Sequence, residues 1–264
     1  MSKTKLRATY GLRKRGLKRR TSALVLLGAA FVASVLTTER HGLRSDGFGI
    51  ALSIVEGLFK PDFGFLAREV LVQLVQTFFI AFFGTFIGMV LSLPLSLFAS
   101  RRFTGPRVAR TGKNFIALIL AFPEIILAIL LVKAFGPGAA AGALAMGIHS
   151  VGMLGKLFAE AVDAMDERPF EALASIGGSP RQRLRYVAIP QIAAEFLSIF
   201  FYRLEINTRG AAILGIIGAG GIGATLIYSI QLYAWEKVGV TLAAMIVLVI
   251  AVDQLSAAVR RRLA

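Results

Sequence analysis

The sequence predicts an all-α integral membrane protein, a polytopic bundle of about six transmembrane helices. Hydrophobic residues make up 56% of the chain and mean hydropathy is +0.72, where a soluble domain holds about 45–50% apolar residues. Residues 70–100 run for 31 positions without a charge, well past the roughly 18 that mark a membrane span. The formal charge of +15 is confined to short segments that flank apolar runs.

The elements follow in chain order. Residues 1–20 carry nine Lys/Arg and no acid. The apolar run 21–38 behind them reads as a signal anchor, with a cleaved signal peptide as the rival because "AFVAS" offers small residues near its end. Residues 39–64 mix three basic and four acidic side chains and form an outside loop. The second span is 70–100, kinked or ended by Pro94. Residues 100–113 hold five basic residues and no acid. The third span, 114–132, is broken at Pro123-Glu124, and the fourth is 134–155. Residues 191–235 could cross twice, but that would put Arg260, Arg261 and Arg262 outside, against the positive-inside rule. One crossing followed by a broken, partly re-entrant segment keeps both termini in the cytoplasm. The last span centres on 238–252. The chain thus divides into residues 1–64 (basic cytoplasmic N-terminus, first transmembrane helix, extracytoplasmic loop) and residues 65–264, with a cytoplasmic loop at 163–190.

Several function classes drop out. The basic excess sets topology, so no nucleic-acid partner is expected; the partner is the lipid bilayer. With no cysteine and two histidines, thiolate and histidine metal sites are not expected. No nucleophile–base or carboxylate–metal cluster is visible, so neither a catalytic nor a metal site is assigned. No Walker A motif occurs. "GIIGAGGIG" at 215–223 contains G-x-G-x-x-G, but residues 210–235 carry no charge to hold a ribose. A dinucleotide site is therefore not expected there.

Residues 163–190, "DAMDERPFEALASIGGSPRQRLRYVAIP", parse by local rules as helix, sharp turn, helix. Pro169 suits a first helical turn, with Asp166 and Glu167 at the positive dipole end. Gly177-Gly178 stops that helix, and Ser179-Pro180 caps the next. Pro190 is expected to end it before the following span. Glu171-Ala172, Gly177 six residues after the Glu, and Pro190 nineteen after it resemble the EAA motif of ABC-importer permeases. Leu173, Val187 and Ile189 depart from that pattern conservatively. "FPE" at 122–124, "HSVGMLGKLFAEAVD" from His149 and "FYRLEINTRGAAILGIIGAGGIG" from Phe201 look like the phosphonate branch, and the match spans about residues 65–258.

The resemblance implies a type I ABC-importer-like permease of the bacterial cytoplasmic (inner) membrane, moving phosphonates or related phosphorus oxyanions by alternating access. Glu171, Ala172, Gly177 and Pro190 would couple it to an ATPase. It implies a permease homodimer, two ATP-binding subunits, and an extracytoplasmic solute-binding protein. No cofactor is expected in this chain; ATP and Mg would sit on the partner ATPase. The alternatives are a permease for methionine or another small solute, and a stand-alone channel or secondary transporter.

Arg203, Glu205, Asn207 and Arg209 fall in the fifth span, where ionisable residues must pair or face water. Glu205 and Arg209 are spaced i, i+4, as are Lys156 and Glu160. They form either structural ion pairs or, together with His149, a polar lining for an anion. Glu124 is expected to accept from a neighbouring helix. Gly218, Gly220, Gly221 and Gly223 read as a gate or hinge, with close helix packing as the alternative.

Overall fold

The computed structural model describes residues 24–34, 37, 47–60 and 62–263, and every regular element among them is a helix. The compact units are residues 1–51 and 52–264. In the first, α1 (Leu24–Ser34) is apolar and exposed. The rest of the expected span 21–38 lies outside the described residues, apart from Thr37.

The expected outside loop contains a helix, α2 (Gly47–Leu58). A Cβ added at Gly57 would lie 2.2 Å from Trp235 Cβ, and one at Gly239 would lie 2.8 Å from Leu58 Cα. Glycine at both positions lets the end of α2, at residues 57–58, rest directly on the start of the last span.

The larger unit builds on α3 (Phe63–Ala99), a span of 37 residues. Asp62 caps it by accepting from the Phe65 N–H at 3.0 Å. Pro94 lies inside the helix and does not end it. The stop comes at Ser100, whose backbone is extended and whose hydroxyl starts α4 (Arg101–Ala121) by accepting from the Arg102 N–H. The expected break in the third span is real: α4 and α5 (Glu124–Phe135) meet at a 73° bend, with Pro123 as the N-cap. Then α6 (Ala139–Asp163) returns along α3. The pair meets through small residues. Gly84 and Gly88, one turn apart, lie so close to Met146 and Ser150 that added Cβ atoms would come within 2.9 and 2.5 Å. This is close helix approach of the kind small residues permit in membranes.

After α7 (Arg168–Ser175), α8 (Pro180–Ile216) runs for 37 residues. Here one expectation is corrected, because Pro190 does not terminate the helix. Residues Leu184–Ala188 form a π turn, and the wider turn gives the Pro190 ring room and places its missing N–H where the hydrogen-bond register changes. The short α9 (Ile222–Gln231) has 10 residues, about 15 Å, too little to cross a membrane. Residues 191–235 thus hold one helix long and apolar enough to cross, followed by the short α9. The last span is α10 (Trp235–Leu263). Among the described residues, four helices are long and apolar enough to cross, or five spans with the bent pair counted as one.

Candidate functional site

Residues 164–183 of the loop fold into a knob at one end of the bundle. Glu171 lies in the first turn of α7, which buries no residue. The helix stops as read from sequence. Gly177 takes φ +81°, its N–H donates to Ala174 O at 3.0 Å, and the Gly178 N–H donates to Leu173 O at 2.8 Å. A left-handed residue is what this stop needs, and glycine adopts it without strain. Ser179 and Gln182 then form a capping box at the start of α8. Glu171, Ala172 and Gly177 are all exposed. So is Ile176, an apolar side chain, at 79%. The sequence reading missed it. Pro190 is not on the knob but within α8 below it.

The five polar residues assigned to one pathway separate into two groups. Helical periodicity is the reason: Arg203 and Asn207 share one face of α8, and Glu205 and Arg209, offset by two positions, share another. On the inner face, Arg203 and Asn207 are buried. Arg203 Nε donates to Ser150 Oγ at 3.0 Å, and Nη1 donates to the Met153 sulfur at 3.1 Å. Asn207 Nδ2 donates to Thr85 Oγ1 at 2.8 Å and Ser150 Oγ at 2.9 Å. Glu124 Oε2 stands 3.7 Å from Arg203 Nη2 and 3.8 Å from His149 Nε2. Four helices, α3, α5, α6 and α8, therefore converge on one polar core. Glu124 Oε1, His149 Nδ1, Arg203 Nη2 and Asn207 Oδ1 have no protein hydrogen-bond partner. Gaps of this size between buried polar groups suit a bridging water or a solute oxygen.

On the other face, Glu205 pairs with Arg209 and lies 3.6 Å from Arg260 Nη1. The helices α8 and α10 are antiparallel, and helical side chains lean toward their own N-termini. Glu205 and Arg260 lean toward each other and so meet across several turns. Two cations on one carboxylate leave this patch net positive. Lys156 and Glu160 form no ion pair; with Lys113 they border a cavity of about 210 Å³ between α4 and α6.

The glycine segment is tightly packed. Gly218, Gly220 and Gly221 take positive φ, and a Cβ at Gly223 would fall 1.9 Å from Ala212 O. The segment follows a helix rather than a strand. The first N–H groups of α9, which would cradle a phosphate in a dinucleotide fold, are taken by α3 side chains: Gly221 N–H donates to Gln76 Oε1 at 3.1 Å and Ile222 N–H to Thr77 Oγ1 at 2.8 Å.

Thr85, Ser150 and Met153 escaped the sequence reading. A hydroxyl at Thr85 inside the uncharged run and another beside His149 were the available signals.

A family profile described as the binding-protein-dependent transport system inner membrane component matches residues 92–264. The chain is 35% identical over 240 residues to the phosphite transport system permease protein PtxC of Stutzerimonas stutzeri, covering 90% of this chain and 85% of that one. It is 34% identical to the phosphate-import permease protein PhnE of Mycolicibacterium smegmatis over 90% of its own length, but spans 45% of that protein. In fold it is similar to the MetNI methionine ABC transporter in an inward-facing form, with a TM-score of 0.64, 20% identity, and coverage of 75% of this chain and 97% of that one. An amino acid ABC transporter scores 0.61 at 22% identity, covering 73% of this chain and 93% of that one.

Proposed function

We propose, from the premise that the chain belongs to the family of binding-protein-dependent transport system inner membrane components, that it is the permease subunit of an ATP-driven importer for phosphorus oxyanions. The observation that carries this reading is the knob: an exposed helix, a left-handed glycine and a capped restart, standing at one end of a membrane bundle. Such a compact surface suits docking to a cytoplasmic ATPase, which would hold the ATP and Mg. The substrate class follows from the relatives named for phosphite and phosphate import. A homodimer with two ATPases, fed by an extracytoplasmic binding protein, completes the assembly. The test is uptake in cells that express the chain with its ATPase and binding protein. Labelled phosphite or alkylphosphonate should enter, and excess methionine should not compete. Competition by methionine, with none by phosphorus oxyanions, contradicts the substrate class.

Both termini are cytoplasmic in this reading, with the knob inside and Lys60 outside. The chain has no cysteine, so Lys60→Cys and Ser175→Cys report orientation directly. An impermeant thiol reagent applied to intact cells should label the first and miss the second. The reverse pattern rules out this orientation.

The anion passes the net-positive patch at Glu205, Arg209 and Arg260, with His149, Arg203 and Asn207 forming the polar core behind it. Arg209 is 54% exposed, and its guanidinium suits two-point contact with an oxyanion. Glu205 partly neutralises it, which keeps the substrate from being trapped. Arg209→Gln should therefore assemble normally and hydrolyse ATP while uptake falls. If that variant transports at the wild-type rate, or if it fails to assemble and Glu205→Gln in the same chain restores both assembly and transport, the patch is structural.

A further inference from the structure

The knob is joined to the spans by a cluster that lies outside the EAA motif. Asp163 ends α6. Its Oδ1 accepts from Ser100 Oγ at 2.6 Å and from the Arg102 N–H at 3.4 Å, and its Oδ2 accepts from Lys113 Nζ at 3.2 Å. Ser100 is fully buried at the junction of α3 and α4. The Arg102 side chain turns the other way, onto the knob. Its Nη1 donates to Met165 O at 3.1 Å and lies 3.9 Å from Glu167 Oε1, and its Cζ stands 4.5 Å from the centre of the Phe170 ring. That distance is within the range in which a cation is held by an aromatic face. Phe170 belongs to α7 and packs on the core built from Leu154, Phe158, Val162 and Phe196. Arg102 thus touches the end of α6, the junction of α3 with α4, and α7 at once.

The α4 backbone breaks shortly after Arg102. Gly105 takes φ +78° and interrupts α4 just before Pro106. Arg102 precedes that interruption and Lys113 follows it, so Asp163 grips α4 on both sides of its break. The break sets a short segment, 101–104, apart from the rest of α4, and Thr104 ties that segment to the end of α3 through Phe98 O and Ser100 O.

We propose that Arg102 is a positioning residue for transport, carrying displacement of α7 to the α3–α4 junction through its stack on Phe170 and its hydrogen bond to Met165. The proposal rests on the reading of α7 as the segment that meets the ATPase. A planar cation pressed on a ring and bonded to a backbone carbonyl has one geometry that satisfies both contacts. When α7 moves, the stack moves as a body, and segment 101–104 moves with it.

The experiment compares Arg102→Gln, Arg102→Lys and Phe170→Ala in the reconstituted complex, reading copurified ATPase, ATP hydrolysis and uptake per ATP. The wild-type complex must show ATP-dependent uptake first; its failure to do so would refute the transport reading and not this one. Arg102→Gln and Phe170→Ala should each keep the ATPase bound and hydrolysing, while uptake per ATP falls by about two- to thirtyfold, the range typical of coupling residues. The double variant should fall no further than the worse single one, because both break the same stack. Arg102→Lys keeps the charge but not the planar stack, and should be impaired in the same ratio; it serves as the reporter if the Gln variant does not accumulate. Unchanged uptake per ATP in the variants, or loss of the bound ATPase as their main effect, overturns the proposal.

Discussion

A Glu171→Arg chain should insert in the membrane at its normal level and support no uptake above background. Glu171 is exposed in the first turn of α7 and makes no ion pair among the described residues. Its folding role is confined to the helix dipole, about 0.3–1 kcal/mol at a surface, so the reversal leaves the bundle intact. The effect falls on docking. The carboxylate stands at the head of a helix whose side chains Ala172 and Ala174 are small enough for close approach by another protein. An Arg there adds bulk and reverses the charge at the point of contact, and an unfavourable charge juxtaposition can cost several kcal/mol at an interface. The ATPase should copurify poorly with this variant. Normal uptake at normal abundance would remove the knob from the coupling mechanism.

The second large effect is expected at Arg203, and it is one of stability. Arg203→Met deletes the cation beside Glu124 and both hydrogen bonds to Ser150 and Met153. Glu124 is then left in the membrane core without its neighbouring charge. Arg203 is buried and Glu124 half-buried, 3.7 Å away, so the loss approaches but does not reach the roughly 3–5 kcal/mol of breaking a fully buried pair from one side, still a large fraction of the stability of a typical domain. The amount of intact protein in the membrane should drop sharply. Glu124→Gln in the same chain should restore part of it, because the stranded carboxylate is gone. Wild-type abundance of Arg203→Met, or simple additivity of the two substitutions, would mean that the pair does not hold the core. Arg209→Gln should not share this loss, since Arg209 is largely exposed.

That contrast marks the limit of what the sequence made legible. Apolar runs and basic flanks located α3, α6 and α10, because hydropathy is a property of the residue list. Pro123 marked the bend between α4 and α5, and Gly177, Ser179 and Pro180 marked the knob, because these residues act through local backbone rules. The reading failed where the outcome depended on neighbours distant in sequence. Arg203, Glu205, Asn207 and Arg209 looked like one polar set until the helix turned them to two faces, toward Ser150 and Thr85 on one side and Arg260 on the other. Pro190 looked like a helix end because proline usually is one, and the π turn at Leu184–Ala188 has no simple sequence signature. Helix α2 hid in a loop because its apolar residues are too few to signal a span. Arg102 gave no signal at all, being one of five basic residues between 100 and 113. Its position over Phe170 depends on the bend of α4 and on the loop that follows α6.

Uptake into proteoliposomes tests the central claim most directly. The purified permease and ATPase are reconstituted together, with binding protein and labelled phosphite supplied on one face and ATP on the other. The label should accumulate only when ATP can be hydrolysed, and Glu171→Arg should abolish accumulation while the permease remains in the vesicles. Accumulation by the permease alone, without ATPase or ATP, would make the chain a channel or secondary transporter and contradict the account.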